Sequence, residues 1–287
     1  MKPAVFDYFR PTSLEEALTQ LAQSNNAKVI AGGQSLGPMM NMRLAAPAEL
    51  VDLNDLTELA YVREVGDMLE IGALTRHYQV EQSALVQKLC PLLAQAARTI
   101  GHYAIRQRGT LGGSLAHADP AAQLALIAVT LGAQINIVSV RGERTVAAAD
   151  FFVAVMATAL EPDEVIRSVR FPKIAASEGT AFRLFNQRHG DFAIVAVAAT
   201  VALHEGRVAR LRIGLGGNSP VPLAYEALAS TFAGRIPDAE WISQLACAVR
   251  DAIEPEEDAR IPAVYRRELT ETLVQRAVTR ALERAQG

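Results

Sequence analysis

The sequences AGGQS at residues 31–35 and TLGGS at residues 110–114 decide how this chain is expected to fold. In each stretch a Gly-Gly pair lets the backbone approach a ligand closely and turn its N–H groups in one direction. Serine and threonine add short hydroxyl donors, and this combination suits an anionic pyrophosphate. Either stretch alone is also a common turn between two elements. The two together, in this order, predict a chain built around a diphosphate ligand.

The residues around the first stretch have the pattern of a small α/β unit. Ser13 followed by Glu16 forms a capping box, which predicts the start of a helix. Short apolar runs predict strands at 29–31, 50–53 and 69–74. Helix and strand therefore alternate, as they do in α/β units.

The second stretch lies between predicted helices. Thr75 is expected to cap a helix that ends near Leu89, and Pro91 is expected to begin the next one. Residues 101–120 are too rich in glycine and charge to be core by sequence alone. An apolar helix is predicted after them, at 121–131.

From about residue 161 the sequence becomes rich in strand patterns. Strands are predicted at 165–171, 181–186, 192–203 and 208–215, with a hairpin turn at 204–207. In the last strand, Ala209 and Leu211 alternate with Arg210 and Arg212 as buried and exposed positions. Residues 172–180 are the predicted linker between two domains, and helices resume from about residue 220.

Length and composition exclude several classes of protein. The chain has 287 residues, which is long for one core, and it is 50% hydrophobic and 21% charged, which excludes a disordered chain. Its net charge of -3 argues against a nucleic-acid binder, because phosphate neutralisation needs clustered Lys and Arg. The longest apolar run, 193–203, is far too short to span a membrane. The sequence therefore predicts a soluble, cytoplasmic protein with no transmembrane segment and no nucleic-acid partner.

Other familiar chemistries lack their residues. The chain contains no P-loop, and the glycines at 214–217 lack the third glycine and the following helix of a dinucleotide fingerprint. Cys90 and Cys247 are the only cysteines, and two thiols cannot supply four ligands to zinc or to an iron–sulfur cluster. No two histidines lie three to five residues apart, so no metal site is predicted. Ser114 falls short of the nucleophile-elbow pattern, which argues against a hydrolase.

Two longer stretches carry a family resemblance. AGGQSLGPMMNMRLAAPAELVDL at 31–53 and IGHYAIRQRGTLGGSLAHADPAAQL at 100–124 resemble the FAD-binding medium subunits of the molybdenum hydroxylases. The closest likeness is to the medium chains of aerobic carbon monoxide dehydrogenases and of bacterial N-heterocycle dehydrogenases. The likeness runs through nearly the whole chain, from FDYFRPTSLEEAL at 6–18 to the C-terminal helical region.

The resemblance implies a fold and a cofactor site. The fold is α+β: residues 1–55 and 56–175 are the two lobes of a vanillyl-alcohol-oxidase-like (PCMH-type) FAD-binding domain, and residues 176–287 form a C-terminal flavoprotein domain with a small antiparallel sheet and helices. FAD is held noncovalently between the lobes. No residue of this chain is implied to be catalytic or to bind a metal. The implied cofactor-binding residues are the pyrophosphate contacts Ala31, Gly32, Gly33, Gln34, Ser35, Leu36, Thr110, Leu111, Gly112, Gly113 and Ser114, then His117 and Asp119 on the ribitol and ring side, Lys28 towards the adenine, Ile166 near the flavin or the adenine, and Phe192 near the isoalloxazine.

The resemblance also implies partners. A small subunit would carry two 2Fe–2S clusters and a large subunit the molybdopterin, in a dimer of heterotrimers, and electrons would pass through the clusters to FAD and then to an external acceptor. Segments 101–108 and 186–192 are the expected docking surface, because polar loops with Arg106, Arg188, histidines and aromatics suit an interface rim. The substrate stays open among carbon monoxide, N-heterocycles, purines and aldehydes, and the acceptor among quinone, cytochrome and dioxygen. A stand-alone flavin-dependent oxidoreductase is the main alternative, and a non-catalytic scaffold is a third.

Overall fold

The N-terminal part of the chain is a small parallel sheet with two helices. The computed structural model describes residues 1–257 and 260–286. Three strands pair in the order β1-β3-β2, all parallel. The elements are β1 (Asp7–Phe9), α1 (Leu14–Gln23), β2 (Ala27–Ile30), α2 (Leu36–Asn41) and β3 (Glu49–Asp52). The predicted α/β unit is confirmed.

Helix α1 begins where the sequence predicts, but its capping box is incomplete. The hydroxyl of Ser13 accepts a hydrogen bond from the N–H of Glu16 at 3.2 Å. The Glu16 carboxylate does not return this bond to the backbone of Ser13, because it accepts from the N–H of Thr12 at 2.7 Å and from its hydroxyl at 3.0 Å. The buried face of the helix, with Leu18 and Leu21, packs with β3 in a core that also includes Val138 and Val165 from the next part of the chain.

A five-stranded antiparallel sheet is the centre of the next part of the chain. Its spatial order is β4-β5-β10-β6-β7. The strands are β4 (Val62–Val65), β5 (Met68–Gly72), β6 (Gln134–Ser139), β7 (Gly142–Ala147) and β10 (Val165–Pro172), and β8 (Phe152–Ala154) pairs separately with β9 (Ala157–Thr158). A 3-10 turn (Thr57–Leu59) precedes the sheet, and the helices of this part are α3 (His77–Gln82), α4 (Ala84–Leu89), α5 (Pro91–Ala97), α6 (Tyr103–Arg108), α7 (Leu111–His117), α8 (Gln123–Leu131) and α9 (Ala148–Phe151). The apolar residues of β5, β6 and β10 form one core with those of α5, α7 and α8.

The predicted helix from Thr75 to Leu89 is two helices. Ser83 separates α3 from α4, and its hydroxyl accepts from the N–H of Val86 at 3.3 Å to start the second helix. Thr75 is not a cap, because its hydroxyl donates to the carbonyl of Tyr61 at 3.0 Å. Pro91 begins α5 as predicted.

The prediction that residues 101–120 are too rich in glycine and charge to be core holds for α6, which has no buried residue, and is wrong for α7. This segment forms α6 and α7, and Leu111, Gly112 and Leu115 of α7 are buried. Leu111 and Leu115 lie four residues apart on one helix face, so a short helix can bury both while its polar residues stay outside.

The C-terminal part is a four-stranded antiparallel sheet between two layers of helix. Its order is β11-β12-β13-β14, and one face packs on the last two helices around the buried Trp241. The opposite face of the sheet packs against α5 and α8, and every residue of α8 is buried. The elements are β11 (Glu178–Phe185), β12 (Val195–His204), β13 (Arg207–Gly216), β14 (Leu223–Ala224), α10 (Glu226–Ser230), α11 (Ala239–Asp251) and α12 (Ala263–Ala285). The expected small antiparallel sheet with helices is confirmed.

Two strand predictions in this part need correction. Strand β12 begins at Val195, so Phe192 lies in the preceding connection and not in the strand. Ala202 pairs with Arg210 while Leu203 pairs with Val208, which leaves Ala209 as the extra residue of a β-bulge. Ala209 is therefore exposed, and the predicted alternation fails there.

Candidate functional site

The first glycine loop, residues 31–36, connects β2 to α2. Gly33 has φ +67°, a left-handed conformation that glycine adopts without strain. The side-chain amide of Gln34 donates to the carbonyl of Gly32 at 2.9 Å and stiffens the loop. The backbone amides of residues 32–36 donate to no acceptor in the described part of the chain. The loop therefore presents a row of free N–H donors, which suits an anion.

The second glycine loop, residues 110–114, leads into α7 and is closely packed against its neighbours. The N–H of Gly112 donates to the carbonyl of Ala73 at 2.8 Å, and the N–H of Gly113 donates to the hydroxyl of Thr110 at 3.1 Å. A Cβ on Gly112 would lie 2.6 Å from the Cβ of Ala73, so only glycine allows this approach. The two glycines thus serve packing and capping, and their amides are already used by the protein.

The two glycine loops meet backbone against backbone. A Cβ built on Gly32 would lie 2.2 Å from the carbonyl oxygen of Arg108 and 2.8 Å from the Cα of Gly109. The missing side chain at Gly32 therefore lets the first loop rest on the residues that lead into the second. Tertiary structure brings together the two stretches that the sequence predicts to act together.

The next predicted contacts follow the second loop along α7. The hydroxyl of Ser114 and the ring of His117 are half-buried, and neither has a hydrogen bond within the described residues. Asp119 Oδ1 accepts from the N–H of Ala121 at 2.8 Å, so one of its oxygens closes the turn before α8. The C-terminal sheet reaches this turn, because the N–H of Gly217 donates to the carbonyl of Pro120 at 3.0 Å.

The three other predicted contacts lie on separate elements. Lys28 is exposed on β2, three residues before the first glycine loop. Ile166 lies on β10, paired with Ile137, and is 4% exposed, so almost none of its side chain is left for a ligand. Phe192 is 70% exposed in the connection between β11 and β12. Their roles as ligand contacts stay predictions.

Two residues that the sequence reasoning missed join the glycine loops. Asn54 Nδ2 donates to the carbonyl of Ala31 at 2.7 Å, and Asn54 Oδ1 accepts from Arg76 at 2.7 Å. The other guanidinium nitrogen of Arg76 donates to the carbonyl of Arg108 at 2.6 Å. Asn54 follows β3, and β3 is the parallel neighbour of β2, so the segments after the two strands lie side by side. This adjacency is the signal that could have identified Asn54, whereas no motif singles out Arg76.

His77 was also missed, and it holds the residues that lead into the second loop. It is 6% exposed, its backbone N–H donates to the carbonyl of Gly109 at 2.9 Å, and its Nε2 lies 2.9 Å from the carbonyl of Thr110. Burial lowers the pKa of His77 to about 4; the bond to Thr110 opposes this shift, and the charges of Arg106 and Arg76 add to it. The ring is therefore neutral at pH 7, and its Nε2–H donates to the Thr110 carbonyl.

The junction of the two loops carries positive charge. Burial and, after it, the neighbouring charge of Arg108 lower the pKa of Arg76, which stays protonated. Neither the guanidinium of Arg76 nor that of Arg108 forms an ion pair with a carboxylate in residues 1–257 or 260–286. An anion placed between the loops would reduce their mutual repulsion. Free amides, the close approach at Gly32 and this positive charge together fit the diphosphate of a dinucleotide cofactor.

The described residues contain no group of three or more His, Cys, Asp or Glu side chains that could hold a metal ion. Cys90 is buried, and burial raises the pKa of its thiol to about 12, while Cys247 is half-buried. Among the helices of the described ranges, none is long and apolar enough to cross a bilayer.

Comparison with known proteins covers both parts of the chain. Residues 4–174 match the FAD binding domain in molybdopterin dehydrogenase, and residues 180–281 match the CO dehydrogenase flavoprotein C-terminal domain. The chain is 36% identical over 286 residues to caffeine dehydrogenase subunit beta of Pseudomonas sp. (strain CBB1), covering 99% of this chain and 97% of that protein. It is 35% identical over 285 residues to the carbon monoxide dehydrogenase medium chain of Hydrogenophaga pseudoflava, covering 99% of each. The solved structure of quinoline 2-oxidoreductase from Pseudomonas putida 86 matches with a TM-score of 0.96 and 34% identity, over 100% of both chains.

Fold and site together define a flavoprotein, with an FAD-binding domain of mixed helix and sheet followed by a second domain. The chain belongs to the FAD-binding medium subunits of the molybdenum hydroxylase family, of the carbon monoxide dehydrogenase type. Its relatives are subunits of oxidoreductases. The family resemblance seen in the sequence is confirmed.

Proposed function

We propose that this chain holds FAD noncovalently between its two glycine loops and acts as the electron-transfer subunit of a three-subunit molybdenum hydroxylase. The observation that carries the proposal is the backbone contact between Gly32 and Arg108, which sets the free amides of the first glycine loop beside the second glycine loop. FAD, when bound, supplies the redox chemistry, and the protein supplies binding, orientation and electrostatics.

The residues of this chain divide the work of binding. The amides of residues 32–36 donate to the diphosphate. The second loop lies against the first loop and offers the hydroxyl of Ser114 as a further donor. Residues 1–55 and 56–175 serve as the two lobes around the cofactor, and residues 176–287 as the C-terminal flavoprotein domain. The contact between Gly217 and Pro120 supports a role for the last domain in closing the ring side of the site.

The partners follow from what this chain lacks in its sequence and from its relatives. Two cysteines cannot ligate 2Fe–2S clusters, so a small iron–sulfur subunit delivers the electrons, and a large molybdopterin subunit carries out the hydroxylation. The relatives named for caffeine, carbon monoxide and quinoline are 36%, 35% and 34% identical to this chain. Such equal likeness favours a substrate choice made outside this chain. The assembly is a dimer of heterotrimers, and an external acceptor reoxidises the flavin.

The test of cofactor content is acid precipitation of the purified chain. One FAD per chain is expected in the supernatant, because no covalent attachment is proposed. Recovery of FMN, or of flavin in the pellet, contradicts the proposal.

Two segments that lie together support the predicted docking surface. The rings of His102 and His189 are 5.7 Å apart, which joins segment 101–108 to segment 186–192. Tyr103 and Phe192 are each 70% exposed on these segments. Apolar rings that stand out among polar neighbours are typical of interface anchors.

Arg106 does not belong to this surface as the sequence predicts. Its side chain is 15% exposed, pairs with Glu81 at 3.1 Å and donates to the carbonyl of Ile100 at 3.0 Å. The docking test therefore uses Tyr103→Ser with Arg188→Glu, because both residues are exposed on these segments and neither is a predicted flavin contact. Ile236→Ser is the control, because Ile236 is also an exposed apolar residue. The double variant is expected to keep FAD but to lose co-purification with the small subunit. Normal assembly of the double variant places the docking surface elsewhere.

A further inference from the structure

We propose that Arg76 and Asn54 are positioning residues for the diphosphate of the flavin, and that they form a relay of hydrogen bonds that ends at the amide of Gly32. This inference rests on the proposed FAD binding and adds to it two residues that belong to neither glycine motif. Both act through the peptide group between Ala31 and Gly32.

The relay begins at Arg76, which precedes α3. Its backbone is fixed because its N–H donates to Gln79 Oε1 at 2.8 Å. Its guanidinium donates to two acceptors on two segments, to Asn54 Oδ1 at 2.7 Å and to the carbonyl of Arg108 at 2.6 Å. The planar fork of an arginine suits two acceptors at once, whereas a lysine offers a single point of charge. Arg76 thereby ties the approach to the second loop to Asn54.

Asn54 carries the relay from Arg76 to the first loop. Its backbone N–H donates to Asp52 Oδ1 at 2.9 Å, which fixes the residue at the end of β3. Its Oδ1 accepts from the guanidinium of Arg76, and its Nδ2 donates both to the carbonyl of Ala31 at 2.7 Å and to Asp52 Oδ1 at 2.5 Å. A group that accepts at one end and donates at the other is polarised in one direction, and each bond strengthens the next.

The last step is the peptide between Ala31 and Gly32. The described residues contain no cis peptide bond, so the Ala31 carbonyl and the Gly32 N–H point to opposite sides of a common plane. The carbonyl points to Asn54, and the Gly32 N–H therefore points away from it. That N–H has no acceptor in the described part of the chain. The charge of Arg76 thus reaches, through two amide groups, a donor that is oriented and strengthened for an anion.

The first measurement is the dissociation constant of FAD for the deflavinated full-length chain. Asn54→Ala and Arg76→Lys each interrupt the relay and are expected to raise this constant about tenfold, since one charge-assisted hydrogen bond is at stake. The double variant is expected to bind FAD no more weakly than the weaker-binding single variant, because either substitution alone already interrupts the relay. Asn25→Ala and Arg98→Lys make the same substitutions at exposed positions and are expected to change nothing.

The second measurement is the 31P NMR spectrum of the bound diphosphate at saturating FAD. Both single variants are expected to shift its resonances, because the Gly32 donor has moved. Wild-type affinity and unshifted resonances in both variants overturn the relay, even if a variant is less stable. Losses of FAD-binding free energy that add up in the double variant also overturn the relay. A wild-type chain that binds no FAD overturns the proposed function itself.

Discussion

Replacing Gly32 with alanine tests the contact on which the site depends. The added Cβ would lie 2.2 Å from the carbonyl oxygen of Arg108 and 2.8 Å from the Cα of Gly109. Real carbon–oxygen contacts of this kind are longer by about 1 Å. Both neighbours are backbone atoms, so no side chain can rotate away and the loops themselves must separate.

The size of the effect follows from this overlap. Overpacking a rigid contact costs about 1–3 kcal/mol, which for a domain of this size corresponds to a fall in unfolding temperature of roughly 2–10 °C. Separation of the loops also moves the free amides away from the second loop, so FAD should be lost. Gly37→Ala is the matched control: nothing lies within 4 Å of its Cβ, and alanine in α2 adds up to about 1 kcal/mol of stability.

The assay compares the flavin-to-protein ratio and the unfolding temperature of the wild type, Gly32→Ala and Gly37→Ala. We expect Gly32→Ala to be purified without flavin and with a lowered unfolding temperature, and Gly37→Ala to be purified with full flavin. Full flavin occupancy and an unchanged unfolding temperature in Gly32→Ala would refute the contact between the loops.

Two further predictions concern pH. Burial disfavours the Glu70 carboxylate, but hydrogen bonds from Tyr61, Ser168 and Arg170 outweigh it and lower its pKa to about 2. Glu70→Gln should therefore destabilise the chain by about 3 kcal/mol above pH 5, and urea titrations should show this difference vanish as the pH falls towards 2. Because burial lowers the pKa of His77 to about 4, the unfolded chain binds the extra proton between that value and about 6.5. The free energy of unfolding should therefore fall by up to about 1.4 kcal/mol per pH unit as the pH is lowered through this window. An equally steep pH profile in His77→Gln would assign that loss to other groups.

The sequence by itself determined the features that depend on neighbours in the chain. The start of α1 at Ser13, the start of α5 at Pro91 and the hairpin at 204–207 all rest on local capping and turn chemistry. The two glycine stretches were recognised for the same reason, since the conformational freedom of glycine is a property of the residue. Local chemistry therefore predicted a diphosphate ligand and the two stretches around it, and the family resemblance supplied FAD as the cofactor.

Only the tertiary structure decided which groups are left for the ligand. The second glycine loop looks like the first in sequence, but the N–H of Gly112 is taken by the carbonyl of Ala73. Arg106 looks like an interface residue, but it pairs with Glu81, 25 residues away. Asn54 meets Ala31 across 23 residues. A hydrogen-bond partner that lies far along the chain leaves no periodic or local pattern, and so the free amides, the joined loops and the relay could be found only in the folded molecule.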